Sequence, residues 1–177
     1  IPASFALSLW NKCISLGEKY NITPYGTEAM HVLRAEKGYI IVGQETDGSV
    51  TPIDLDMNWI VSKKKYDFIG KRALNRSDTI KEDRKQLVGI LTIDPSIILE
   101  EGAHLVEVET SLPMPMVGHI TSSYYSPNLG RSIALGLVKS GTKKKGTKLL
   151  VPTVNRSIEV EITSPVFIDP ENERLLA

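Results

Sequence analysis

A single cysteine, Cys13, in 177 residues leaves no internal disulfide to be made, and the lack of CxxC or Cys/His spacing removes a structural zinc site. A reducing compartment, the cytoplasm, fits a lone thiol. Neither sign of charge is in excess. With 21 Lys and Arg against 21 Asp and Glu, the chain lacks the general attraction that nucleic acid or an acidic membrane surface requires, so neither is expected as a partner. No apolar run approaches the length of a bilayer span. The first residues, IPASFALSLWNKC, have neither an initiator Met nor the basic segment of a signal peptide, the start expected of a piece of a longer chain. GxGxxG and the Walker lysine loop are also missing, which leaves a nucleotide phosphate without its usual cradle.

What is present is ordinary globular material, 41% hydrophobic and 24% charged, enough for one large domain or two small ones. After Pro2, the spacing of Ala6, Leu9, Trp10, Cys13, Leu16 and Gly17 predicts an amphipathic helix with Cys13 on its buried face. Thr27 is placed to cap a second helix reaching about Glu36, with Gly38 in the C-terminal capping position and Met30 and Leu33 facing inward. Tyr39 to Val42 reads as a strand or extended segment, Asp47-Gly48 as a turn, and Leu55, Met57 and Trp59 alternate. Beyond the basic triplet Lys63 to Lys65, Asp67 is placed to cap a short helix from Phe68 to Leu74, and the polar stretch NRSDTIKEDRKQ reads as a linker.

Past that linker the texture changes to short apolar runs separated by Gly and Pro: Leu87 to Ile93, His104 to Val108, Met116 to Thr121, Ile133 to Val138, Leu149 to Val151 and Ile158 to Ile162. In SIEVEIT the alternation of Ile158, Val160 and Ile162 with polar residues marks a half-buried strand. Six such runs with no helical pattern between them predict a small antiparallel barrel or sandwich, and with the leading helices an α+β chain.

Candidate chemistry is sparse. His31, His104 and His119 are far apart in sequence and read as satisfied or exposed. Ser122, Ser123 and Ser126, in TSSYYSP, either offer hydroxyls to a ligand or belong to a turn between strands. Lys143, Lys144 and Lys145 precede Gly146 in an expected hairpin turn and read as a solvated charge run. Glu36 stands apart, because a carboxylate at a helix C-terminus faces the unfavourable end of the dipole, and an acid placed there invites a ligand.

LRAEKG at Leu33 to Gly38, Thr51-Pro52, Asn58-Trp59, DFIGKRAL at Asp67 to Leu74 and GHITSSYYSPNLGRSIALGLV at Gly118 to Val138 together resemble the folate-dependent aminomethyltransferase family, which includes the glycine-cleavage T-protein. The resemblance runs through essentially the whole chain. It implies the later part of a folate-binding aminomethyltransferase domain over residues 1–83 and the family's six-stranded antiparallel β-barrel over residues 84–177. Within the family, GTEAMHVLRAEKGYIIVGQETDG and PVFIDPENERLLA are most similar to the alpha-subunit branch of the heterotetrameric sarcosine oxidases.

That branch implies an oxidoreductase in which tetrahydrofolate captures the one-carbon unit from sarcosine as 5,10-methylenetetrahydrofolate, with flavin and NAD held outside this chain and other sarcosine oxidase subunits as partners. Glu36 falls where the family's helix-end glutamate hydrogen-bonds the pterin ring. Lys65 falls where the T-protein has a folate-holding arginine, keeping the charge and losing the planar fork. The family's catalytic aspartate is expected upstream of this chain, no metal ligand is expected, and the fragment alone should be inactive. The rival readings are a T-protein or dimethylglycine dehydrogenase fragment, a non-catalytic folate-binding protein, whose Lys-Gly-Cys signature is broken here by Tyr39, and a barrel that serves chiefly as a docking surface.

Overall fold

The computed structural model describes residues 1–176 and falls into two compact units, with the boundary between Met30 and His31. The first unit begins with a 3-10 turn, Ala3–Phe5, that runs into α1, Ala6–Gly17. Asn21, in the left-handed region at φ 56°, ends the helical run, and Ile22 folds back over Gly17, where an added Cβ would lie 2.5 Å from its side chain. Within α1 only Gly17 is buried. Cys13, expected in a core, is exposed, as are Leu9, Trp10 and Leu16. Periodicity fixes which side of a helix is apolar and says nothing about what covers it.

Helix α2 spans Thr27–Glu36, and the bond from Met30 N–H to Gly26 O puts Gly26, rather than Thr27, at the cap. Met30 and Leu33 are exposed against expectation. The buried residues are Arg34, Ala35 and Glu36 in the last turn, because α2 meets its neighbours through its polar C-terminal end. That end closes as a Schellman motif: Tyr39 N–H donates to Arg34 O at 2.8 Å and Gly38 N–H to Ala35 O at 3.1 Å, with Gly38 at φ +74°.

From Tyr39 to Asn75 the chain is held by turns. No strand forms at Tyr39 to Val42, because Ile41 N–H is spent on the Glu45 side chain at 2.7 Å, leaving only a bridge between Val42 and Thr46. Leu55 and Met57 pack inward as their alternation suggests, while Trp59 is exposed in the 3-10 turn Asn58–Ile60. Asp67 accepts from Phe68 N–H at 2.9 Å, yet the expected helix is only turns and the 3-10 segment Ala73–Asn75, since Gly70 at φ +94° breaks the right-handed run.

Six antiparallel strands follow where the apolar runs predict them: β1 Lys85–Thr92, β2 His104–Leu105, β3 Gly118–Ser126, β4 Arg131–Lys139, β5 Lys148–Pro152 and β6 Ser157–Thr163. Their order is β2-β3-β4-β1-β6-β5, and the two edges are joined by reciprocal bonds between Val106 and Leu150, both 2.9 Å, which close a barrel. Its interior holds Val88, Ile90, Ile120, Ala134, Val138, Val160 and Ile162. On the outer face Leu87, Leu135 and Leu137 pack against Leu55, with Ile40, Met57 and Phe167 alongside, and this second apolar cluster seats the 39–57 segment on the barrel.

One irregularity in β3 decides what faces α2. The β3–β4 register slips between Ile120 and Ser122, so Ile120 opposes the inward Gly136 while Ser122 opposes the outward Leu135. The extra residue, Thr121, inverts the alternation and turns Ser122, Tyr124 and Ser126 to the outside. TSSYYSP is therefore mostly strand, and the turn begins at Pro127.

Candidate functional site

The outward residues of β3 meet the last turn of α2 in order. Arg34 donates to Ser122 Oγ at 2.6 Å, to Tyr124 OH at 3.2 Å, to Gln44 Oε1 at 3.0 Å, to Tyr39 O at 3.2 Å and to Glu45 Oε2 at 3.0 Å. Glu45 is wholly buried, and its other oxygen accepts from Ser122 Oγ at 2.5 Å. The guanidinium also lies over the Tyr124 ring, 5.6 Å from its centroid. Two residues on, Glu36 is 3% exposed, with Oε1 accepting from Ser126 Oγ at 2.5 Å and Asn128 Nδ2 bridging Oε1 at 3.1 Å and Oε2 at 2.9 Å. The three serines read as ligand hydroxyls or turn residues thus have internal work: Ser123 Oγ accepts from Leu99 N–H and donates to Ile133 O.

The C-terminal segment clasps the same helix end. Phe167 and Ile168 donate their N–H groups to Glu36 O at 2.9 and 3.0 Å, and Lys37 reaches Asp169, whose carbonyl and carboxylate both accept from it. Burial works to raise the Asp169 pKa, but the hydrogen bond and charge of Lys37, together with the backbone N–H groups of Arg174 and Glu173, outweigh it and hold the carboxyl below the ordinary value. Against this clasp lies a pocket of about 330 Å³ whose walls include Leu33, Glu36, Lys37, Tyr39, Asn128 and Ile168.

Lys65 is exposed and sits elsewhere, on a pocket of about 530 Å³ with Pro52, Ile60, Phe68 and Leu74 among its walls. Lys65 and Glu36 thus line two different pockets. The loop between them is braced by Asp54, which accepts from Thr51 and takes two bonds from Arg84, at 2.8 and 2.6 Å. Burial would raise the Asp54 pKa, but the Arg84 and Thr51 hydrogen bonds prevail and lower it.

His31 packs edge-on to Tyr124, and His104 and His119 are paired across β2 and β3. Among the described residues no three His, Cys, Asp or Glu side chains converge to hold a metal, and no helix is long and apolar enough to cross a membrane. Lys143 and Lys144 meet Glu82 and Glu107 in exposed pairs, as a solvated charge run should. Sequence reasoning singled out Glu36 but not Arg34, Glu45 or Asn128. The available signal was Arg34 itself, a second charged residue two places before the odd acid in the last turn of the same helix.

Two family models cover most of the chain: the GCVT N-terminal domain matches residues 1–65 and the glycine cleavage T-protein C-terminal barrel domain matches residues 85–169. Sarcosine oxidase subunit alpha from Corynebacterium sp. (strain P-1) is 50% identical over 177 residues, covering 98% of this chain and 18% of that protein. An aminomethyltransferase from Thermoanaerobacter pseudethanolicus is 31% identical over 169 residues, covering 94% of this chain and 44% of the relative. The crystal structure of glycine cleavage system aminomethyltransferase T from Bartonella henselae superposes with a TM-score of 0.78 at 25% identity, over 95% of this chain and 45% of that one. The chain therefore spans less than a fifth of the sarcosine oxidase alpha subunit and under half of the aminomethyltransferases it matches. With an N-terminal-domain match followed by a barrel-domain match along its length, it belongs to the glycine cleavage T-protein family.

Proposed function

We propose that this chain forms part of a tetrahydrofolate site in a sarcosine-oxidising enzyme of the alpha-subunit type, acting with other subunits of that enzyme. The observation that carries the reading is Glu36, a nearly buried carboxylate held in place by Ser126 and Asn128 at the wall of a pocket. Its chemistry suits a pterin, whose 2-amino-pyrimidinone edge presents two adjacent N–H donors to a carboxylate. Tetrahydrofolate, when bound, supplies the amine that takes up the one-carbon unit, giving 5,10-methylenetetrahydrofolate. Glu36 orients the ring from the helix end, and Lys65 offers its ammonium to an acidic part of the same ligand. The identity to a sarcosine oxidase alpha subunit, 50% against 31% for an aminomethyltransferase, favours amine oxidation over glycine cleavage. We place the boundary between the folate-domain part and the barrel at residues 83 and 84, with flavin, NAD and the catalytic acid outside this chain and the fragment inactive alone.

The test is calorimetric titration of tetrahydrofolate into the native full-length polypeptide carrying Glu36→Gln. The expected result is at least about tenfold weaker binding, the loss of one charge-assisted hydrogen bond. Unchanged affinity would remove Glu36 from the site.

A further inference from the structure

We propose that Asn128 is an exchangeable cap on Glu36, and that the exchange selects ligands with two adjacent N–H donors; this rests on Glu36 being a ligand contact. The donors on the Glu36 carboxylate differ in kind. Ser126 is a buried strand residue whose hydroxyl is fixed at both ends, donating to Glu36 Oε1 and accepting from Leu129 N–H at 3.1 Å. Asn128 is exposed, sits in the turn between β3 and β4, and makes no side-chain hydrogen bond among the described residues except those to Glu36. Both Glu36 and Asn128 line the same pocket.

An exposed turn side chain can rotate away at small cost, whereas Ser126 cannot leave without disturbing the strand end. Rotation of Asn128 frees one bond on each Glu36 oxygen, and Oε2 then has no protein donor among the described residues. A ligand that offers one N–H replaces half of what it displaces and leaves a nearly buried carboxylate oxygen short of a partner, which is costly. A ligand edge with two parallel N–H groups replaces both bonds. Asn128 thereby turns a general anion contact into a filter for amidine-like edges, the class to which a 2-amino-pyrimidinone belongs.

The experiment is titration of the native full-length polypeptide with tetrahydrofolate and with its 2-desamino-2-methyl analogue, which keeps only the ring N–H on that edge. Asn128→Ala and Asn128→Gly are expected to bind tetrahydrofolate about tenfold more tightly than the parent, since no internal donor has to be displaced. They should also discriminate less between the two ligands, because water can enter the vacated space and satisfy the second oxygen. Unchanged or weaker tetrahydrofolate binding in both variants, or an unchanged ratio between the ligands, overturns the cap. Glu36→Gln, measured alongside, separates the layers. If it leaves affinity intact, the Glu36 contact itself is wrong. If it weakens binding while neither Asn128 variant tightens it, only the cap is wrong.

Discussion

Arg34 and Glu45 form an ion pair of 3.0 Å with side chains 8% and 0% exposed, one on the last turn of α2 and the other in the turn that follows it. The pair is bonded well beyond its own contact, since Arg34 has four further acceptors, all at its terminal nitrogens, and Glu45 also takes Ile41 N–H and Ser122 Oγ; Arg34 Nε alone is buried with no acceptor among the described residues. Breaking such a pair strands a charge in a site closed to water. Glu45→Ala should therefore cost about 3–5 kcal/mol, and replacing both residues by Met should cost less than the Glu45 change alone. Urea denaturation of the single and double variants decides it. A Glu45→Ala loss below about 1 kcal/mol would mean the network is dispensable.

Gly38 is the second point on which this helix end turns. Its φ of +74° belongs to the C-terminal cap, and a Cβ built there would lie 2.6 Å from Pro165 O. Gly38→Ala meets both a left-handed backbone and a rigid carbonyl, so the loss should be about 2–3 kcal/mol. Gly43→Ala also sits at positive φ but has open space around its Cβ, and should cost less. Equal losses for the two, measured by thermal melting, would show that the Pro165 approach adds nothing.

Lys65 separates a ligand contact from a solvated turn. Lys65→Ala should weaken tetrahydrofolate binding by about fivefold at low salt, near the upper end for an exposed charge contact. The deficit should shrink as ionic strength rises, and Lys65→Arg should retain affinity. If the alanine variant binds as tightly as the parent at low salt, Lys65 has no part in the site.

The barrel was legible because each of the six short apolar runs bounded by turn formers falls on an observed strand, although β3 continues past its run through the polar Ser122–Ser126. The closing of α2 at Glu36 and the capping role of Gly38 were legible for the same reason, a local rule with a local cause. The site was not legible as a whole, because it depends on the slip at Thr121, an extra residue with no signature in TSSYYS. Without that slip Ser122, Tyr124 and Ser126 would point into the barrel and Arg34 would have no partners on β3. Cys13, Met30 and Leu33 failed for another reason: each was placed by periodicity, and burial depends on what is packed against a face. Tyr39 to Val42 failed because a side chain, Glu45, outcompeted a neighbouring strand for Ile41 N–H.

Lys85 and His119 carry the clearest pH signal. Lys85 Nζ lies 3.3 Å from His119 Nδ1, with His104 opposite on β2 and Asp47 also facing the ring. Burial lowers the His119 pKa first, Lys85 and His104 lower it further, and Asp47 opposes them, leaving it below the ordinary value. A neutral imidazole can then accept from the lysine. In the unfolded chain the same ring takes up its proton at about pH 6.5. As pH falls from there toward the folded-state value, the unfolded state binds more protons than the native one. The contribution of neutral His119 is thus complete above about pH 6.5 and is lost on acidification through that window. NMR titration of the His119 ring should give a midpoint below the ordinary value, and Lys85→Met should move it upward and flatten the fall in stability. A midpoint at or above the ordinary value in the unmodified chain would mean that the ring is not buried beside Lys85 in solution, and a midpoint that Lys85→Met leaves in place would mean that the lysine is not held against it.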